Sequence, residues 1–73
     1  MTINEIYNTM SEAQRASLKT RIMMDGVAYT TAYAYCRGTR RPKLLYRQRI
    51  AGHIKAILGI NYTVDELFPE AKA

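Results

Sequence analysis

Residues 26–43 read GVAYTTAYAYCRGTRRPK, and the fold turns on how the part from Val27 to Arg37 is read. Tyrosines at 29, 33 and 35 suit a strand by propensity and a short helix by spacing, and propensity alone does not decide between them. Gly38 stops the segment, Thr39 to Arg41 form a loop, and Pro42 has its preferred place at the first position of a following helix. The same stretch opens the most basic part of the chain. Between Asp25 and Asp65 there is no acidic residue, and that interval carries seven of the eleven bases: Arg37, Arg40, Arg41, Lys43, Arg47, Arg49 and Lys55. Uncompensated bases attract polyanions, and phosphate contacts release condensed counterions, so nucleic acid is the first partner to consider. A solvated basic face with no specific partner is the plain alternative.

Helix signals flank the stretch on both sides. Thr2 with Glu5, Ser11 with Gln14 and Thr63 with Glu66 all have capping-box spacing, in which a hydroxyl accepts from an early backbone amide and the later side chain reaches back. The first predicts a short helix near Ile3 to Asn8 with Ile3, Ile6, Tyr7 and Met10 on its apolar side. The second predicts a helix from Glu12 to Met24, with Leu18 and Ile22 in an apolar stripe between Arg15, Lys19 and Arg21, ended by Gly26. After Pro42, the positions Leu45, Tyr46, Ile50, Ala51, Ile54, Ile57 and Leu58 repeat at helical spacing as far as Gly59, an αL terminator. The third box opens a single turn, Val64 to Phe68, whose Leu67 and Phe68 are expected to close the core.

Composition narrows the class. Seventy-three residues make one domain, and a chain this short buries only about 60% of its unfolded surface. A formal charge of +5 and a pI near 9.7 fit polyanion binding, while 48% hydrophobic content excludes a wholly disordered chain. The single cysteine, Cys36, forms no internal disulfide and no zinc site with the one histidine, His53, so no metal or other cofactor is implied and a reducing cytoplasm is expected. No apolar run has the length of a membrane span or the form of a secretory signal, so no membrane partner is expected. An enzyme is not expected either, because no acidic pair, Ser-His-Asp set or Gly-rich phosphate loop is present and Asp25 has no evident catalytic partner.

The residues Gly26-Val27, Thr31, Tyr35, Gly38-Thr39-Arg40-Arg41-Pro42, Ile50-Ala51, Leu58-Gly59 and Asp65-Glu66-Leu67-Phe68 together resemble the Cro and phage-repressor class of helix-turn-helix DNA-binding proteins. In that class a turn glycine and an apolar residue precede the recognition helix, the helix ends in glycine, and a basic loop with proline leads to a helix containing an Ile-Ala or Leu-Ala pair. The match runs from near Leu18 to Phe68. It resolves the tyrosine segment as a recognition helix over about 28–37, followed by a basic loop over 38–43. The chain departs from the pattern at Ile22, where the class has alanine, and at Asp25, where it has an apolar residue. Ala28 stands where a capping residue is usual, which moves the expected helix start to Thr30 or Thr31. The fourth helix carries about one extra turn, Gly52 to Ala56, relative to the usual spacing.

A recognition helix needs a face that enters the major groove, and Tyr29, Thr30, Tyr33, Ala34 and Arg37 point outward if Ala32 and Tyr35 point to the core. By resemblance, Tyr29, Thr30 and Ala34 match positions that meet bases, with Tyr33 and Arg37 flanking them. Arg37 suits a bidentate pair with guanine, or a phosphate clamp at the helix end; Thr30 suits a base or phosphate, and Ala34 a thymine methyl. Tyr29 and Tyr33 have packing at a dimer or helix interface as their alternative. Thr31, Thr39, Arg40, Arg41, Lys43 and Arg47 are the candidate phosphate contacts. Arg49 and Lys55 are expected to be solvated, Cys36 buried or half-buried, and His53 at the surface or partly buried, without ligand partners and not a site.

These observations predict an all-α fold, a small helical bundle containing a helix-turn-helix, with four helices plus a short C-terminal turn in one domain. The expected function is sequence-specific binding of double-stranded DNA as a small transcriptional regulator, in the bacterial or phage-infected host cytoplasm at the nucleoid. A homodimer is expected, with Ile3, Ile6, Tyr7, Ile60, Tyr62, Leu67 and Phe68 as candidate interface residues unless they close the monomer's core. No effector domain and no room for a small-molecule ligand are expected. The rivals are a helical protein-interaction module, such as an antitoxin or phage-encoded modulator, and an RNA binder that stacks bases on exposed tyrosines.

Overall fold

The computed structural model describes residues 1–70, and every regular element among them is a helix. The elements are α1 (Ile3–Thr9), α2 (Glu12–Met24), α3 (Tyr29–Arg37), α4 (Leu44–Leu58) and α5 (Val64–Leu67). All three capping boxes form. In each, the hydroxyl of Thr2, Ser11 or Thr63 accepts from the backbone amide three residues on, at 3.4, 3.2 and 3.1 Å. Glu5, Gln14 and Glu66 accept in return from the cap's own amide at 2.8, 3.0 and 3.3 Å. Donation from the Thr2 amide, and then from its hydroxyl, holds the Glu5 carboxyl below its ordinary range.

The tyrosine segment is helical because its burial is helical: Ala32, Tyr35 and Cys36, at spacings of three and four, are the residues that α3 buries. Three expectations need correction. α3 starts at Tyr29 and not at Thr30 or Thr31, although its N-cap, Ala28, makes no side-chain capping bond. Buried Val27 and Ala32 bracket that start, and the Ala32 amide bonds the Ala28 carbonyl at 2.9 Å, so packing replaces the missing cap. Pro42 is not the first residue of α4, which begins at Leu44 after an extended Lys43 with ψ 159°. The proline ring is buried instead, holding the loop against the core while the chain stays extended. Leu45 is 57% exposed, because it lies off the stripe set by the buried Ile50 and Ile54 and the half-buried Tyr46, Ile57 and Leu58.

Between α2 and α3 the chain turns in four residues, Asp25 to Ala28, with Gly26 at φ +95°, a value side-chain-bearing residues rarely adopt. α2 and α3 are therefore joined by a short, tight turn. α2 packs on α3 and α4, α1 on α3 and α5, and α4 on α5, so each helix supplies side chains to one core. α2 commits only Leu18 and Ile22 to that core, one turn apart and essentially without exposure. Truncating either to alanine costs about 2–5 kcal/mol. Ile22, the departure from the pattern that the sequence resembles, is thus a core residue.

The end of α1 is held from α2. Arg15 donates from Nε to the Tyr7 carbonyl and from Nη2 to the Asn8 carbonyl, both at 2.9 Å, satisfying carbonyls that the helix end leaves open. Ile3, Ile6, Tyr7, Leu67 and Phe68 are all buried, and Tyr62 is half-buried against them, so most of the candidate dimer residues close the monomer's core. Ile60 alone of that set is well exposed, at 47%. No described helix is long and apolar enough to cross a membrane.

Candidate nucleic-acid interface

Helical geometry puts Tyr29, Tyr33 and Arg37 on one line along α3, with Thr30 and Ala34 beside them, on the arc opposite the buried Ala32, Tyr35 and Cys36. Tyr29, Thr30, Tyr33 and Arg37 are exposed, while Ala34 is half-buried. The five candidate base-contact residues therefore form one continuous outward face. Thr31 sits at its flank and is half-buried, further from solvent than Thr30.

The face is ordered by its own contacts. The Tyr29 and Tyr33 rings stack, with centroids 6.4 Å apart and planes 9° from parallel, and Tyr7 of α1 meets Tyr33 edge-on at 6.5 Å. Arg37 Nη1 donates to the Tyr33 hydroxyl at 2.9 Å, and the guanidinium carbon lies 5.7 Å from that ring's centroid. This fixes one side of the guanidinium and leaves its other donors facing out.

Lys19 is the residue that sequence reasoning missed. From α2 its Nζ lies 5.4 Å from the centroids of Tyr29 and Tyr33 and 6.0 Å from that of Tyr7, a cation over three electron-rich rings. The Tyr7 hydroxyl beside it is the main cause that holds the ammonium above its ordinary range. Arg15, one turn earlier, also lies over Tyr7, at 5.3 Å. The spacing of Arg15 and Lys19 showed that they share a side of α2. That α1 and α3 place their tyrosines under that side was outside its reach.

The basic loop follows the αL residue Gly38, whose amide reaches the Tyr35 carbonyl at 3.2 Å while Thr39's reaches that of Ala34 at 3.1 Å. Thr39 also donates its hydroxyl to Ala34 O at 3.3 Å, which makes it a helix-end residue first. Arg40 and Lys43 are exposed. Arg41 is exposed too but spends one donor on the Phe68 carbonyl at 3.4 Å, tying the loop to the end of α5. Arg47 stands apart from the others, being half-buried with its Nε enclosed and unpaired. Among the described residues none of Lys19, Arg37, Arg40, Arg41, Lys43 or Arg47 has a carboxylate partner.

On the far side of the turn one expectation, that Arg49 is solvated, is corrected, and His53 takes a hydrogen-bond partner without becoming a ligand site. His53 does have a partner: its Nε2 lies 2.8 Å from Oδ2 of Asp25, and Arg49, expected to be solvated, reaches Oδ1 of the same carboxylate at 3.5 Å. Arg49 and His53 sit one turn apart on α4, so both meet the carboxylate that ends α2. The group clamps the turn to α4. Cys36 is fully buried as expected, and desolvation pushes its thiol up to about 12, which keeps it protonated and unreactive.

The expectation that so small a domain leaves no room for a cleft is also not met. Behind the loop an opening of about 360 Å³ runs between Thr2 and Asn4 of the α1 start, Arg37, Gly38, Arg40 and Arg41 of the loop, and Leu67 to Pro69 at the end of α5. No known family model, no curated protein and no solved structure matches this chain.

Proposed function

We propose that the protein binds double-stranded DNA sequence-specifically, with α3 in the major groove, and acts as a small transcriptional regulator. The observation that supports this most is the exposed arc of α3, bordered by the unpaired cations Lys19, Arg40 and Lys43. In this reading Arg37 offers paired donors to guanine O6 and N7, Thr30 hydrogen-bonds a base edge, and Ala34 packs on a thymine methyl. Lys43 and the Arg40-Arg41 pair hold the phosphate backbone on one flank and fix the register of α3. Regulation follows from occupancy: the bound protein blocks or recruits polymerase, in the cytoplasm at the nucleoid. One recognition helix reaches few base pairs, so the active species is a homodimer on a palindrome whose half-sites lie about 34 Å apart, with Ile60 as the exposed member of its apolar contact.

Selection of binding sites from randomised duplexes, paired with sedimentation at micromolar protein, tests the reading. Enrichment of a palindrome by a dimer is the expected result. A monomer that enriches a single half-site removes the dimer and leaves DNA binding; no enrichment, with affinity indifferent to salt, removes DNA binding itself.

One observation favours a second reading, a protein-interaction module. Met23, Met24, Leu44 and Leu45 are exposed by 41, 81, 52 and 57%, more apolar surface than α2 and α4 need to present to water. Salt-independent capture of a polypeptide that survives Arg40→Ala with Arg41→Ala distinguishes it.

A further inference from the structure

The cleft behind the loop has the composition of a ligand site. Its apolar lining comes from Pro69 and from the edges of the core residues Ile3, Leu67 and Phe68, each at most 5% exposed. Three arginines also line it, Arg37, Arg40 and Arg41, together with Thr2 and Asn4. No carboxylate lines it, and none pairs with those three arginines among the described residues. Of the acidic neighbours in sequence of the lining residues, Glu5 and Glu66 are held in their capping boxes, while Glu70, beside Pro69, is exposed and does not line the opening. A site with an apolar lining and a surplus of charged donors selects a molecule that is apolar at one end and anionic at the other.

Size narrows the class. An opening of about 360 Å³ holds about a dozen waters at roughly 30 Å³ each, so a lone inorganic ion would leave most of it unfilled. It is also at the lower end of the range for organic ligands. Guanidiniums take phosphate and carboxylate alike in bidentate pairs. We propose that this cleft binds a small organic anion, a single planar or aromatic ring bearing a phosphate or carboxylate, with the ring on Ile3, Leu67 and Phe68 and the charge on Arg37 and Arg40. Arg41, already bonded to the Phe68 carbonyl, fixes the wall between them.

The test uses the full chain without DNA, so its outcome is separate from the reading of α3. Isotope-labelled protein is titrated at constant ionic strength with phenyl phosphate, with benzoate and with inorganic phosphate, and amide shifts are followed. Saturable shifts centred on Thr2, Asn4, Gly38, Leu67 and Phe68 are expected for at least one aromatic anion, with phenyl phosphate and benzoate reporting which head group is preferred. Inorganic phosphate should bind about tenfold more weakly or worse, for want of the apolar contact. Arg40→Glu, at an exposed position that leaves the core intact, should weaken the aromatic anion by about tenfold or more, and Arg37→Gln should act in the same direction. The proposal is overturned if neither aromatic anion saturates, if inorganic phosphate binds as well, if the shifts spread evenly over Lys43, Arg49 and Lys55, or if both arginine variants bind unchanged.

Discussion

The acid-free stretch treats its cations in opposite ways on either side of Pro42 and Lys43. At the end of α3 and in the loop, Arg37 and Arg40 face water or a tyrosine ring with no carboxylate in reach. Half-way along α4, Arg49 closes on Asp25, whose side chain is only 12% exposed and also meets the His53 ring. The charges counted alike in the sequence are thus unlike in use. A cation already engaged by a carboxylate has less to offer a phosphate, while a free one keeps its donors, so the face of α3 is where a polyanion gains most.

The largest effect expected from that contrast is on the free side. Arg40→Ala with Arg41→Ala should weaken every duplex about equally, by roughly 3 kcal/mol at low salt, and flatten the plot of log affinity against log salt by about 1.8. Titrations at several salt concentrations measure both, and an unchanged slope would move the loop out of the interface. Arg37→Ala comes next, at about 1 to 3 kcal/mol on the best site with relaxed preference at one base pair per half-site. A uniform loss over all sequences would instead make Arg37 a phosphate contact.

The clamped side should answer in stability and not in binding. Asp25→Ala removes the acceptor that joins the turn to α4 and should lower unfolding free energy by about 1 to 2 kcal/mol, read from denaturant midpoints, with DNA affinity unchanged below the transition. If it costs affinity as much as the loop variant does, the two sides are one functional surface and the contrast fails. Arg49→Ala should do least, under about 1 kcal/mol in stability, because that side chain is 53% exposed and its pair is largely screened by water. A smaller signal belongs to pH. Glu5 has its folded pKa lowered by Thr2, so its share of α1 stability is present above the unfolded value and is lost as pH falls through the folded one. Glu5→Gln should remove that part of the acid dependence, checked by unfolding across the acid range.

The helices α1, α2 and α4 and the closing turn α5 were readable because their signals are local, whereas α3 rested on the resemblance. Capping boxes join residues three apart, an αL glycine ends a helix by its own backbone freedom, and Ile50 with Ile54 marks a buried stripe within one element. Where a signal was local but packing opposed it, packing won: Ala28 is a poor cap, yet α3 begins after it because Val27 and Ala32 are buried on either side. Pro42 shows the same order of strength, being buried in the loop when its backbone would have suited the start of α4. The arc from Tyr29 to Arg37 was readable once the segment was taken as a helix, since a period of 3.6 then decides which side faces out.

Sequence alone therefore determined the charge sorting, the element order and the outward face of α3, all of which depend on residues within one or two turns of each other. Tertiary structure alone decided which cations are free. Asp25 and Arg49 are 24 residues apart, and Lys19 meets Tyr7 and Tyr33 only because α1 and α2 both pack on α3. The cleft, too, needs α1 and α5 brought to the loop, since Thr2 and Phe68 both line it. Such pairings are set by how helices pack their buried faces, and that packing depends on the whole core at once, so no short window of residues carries it.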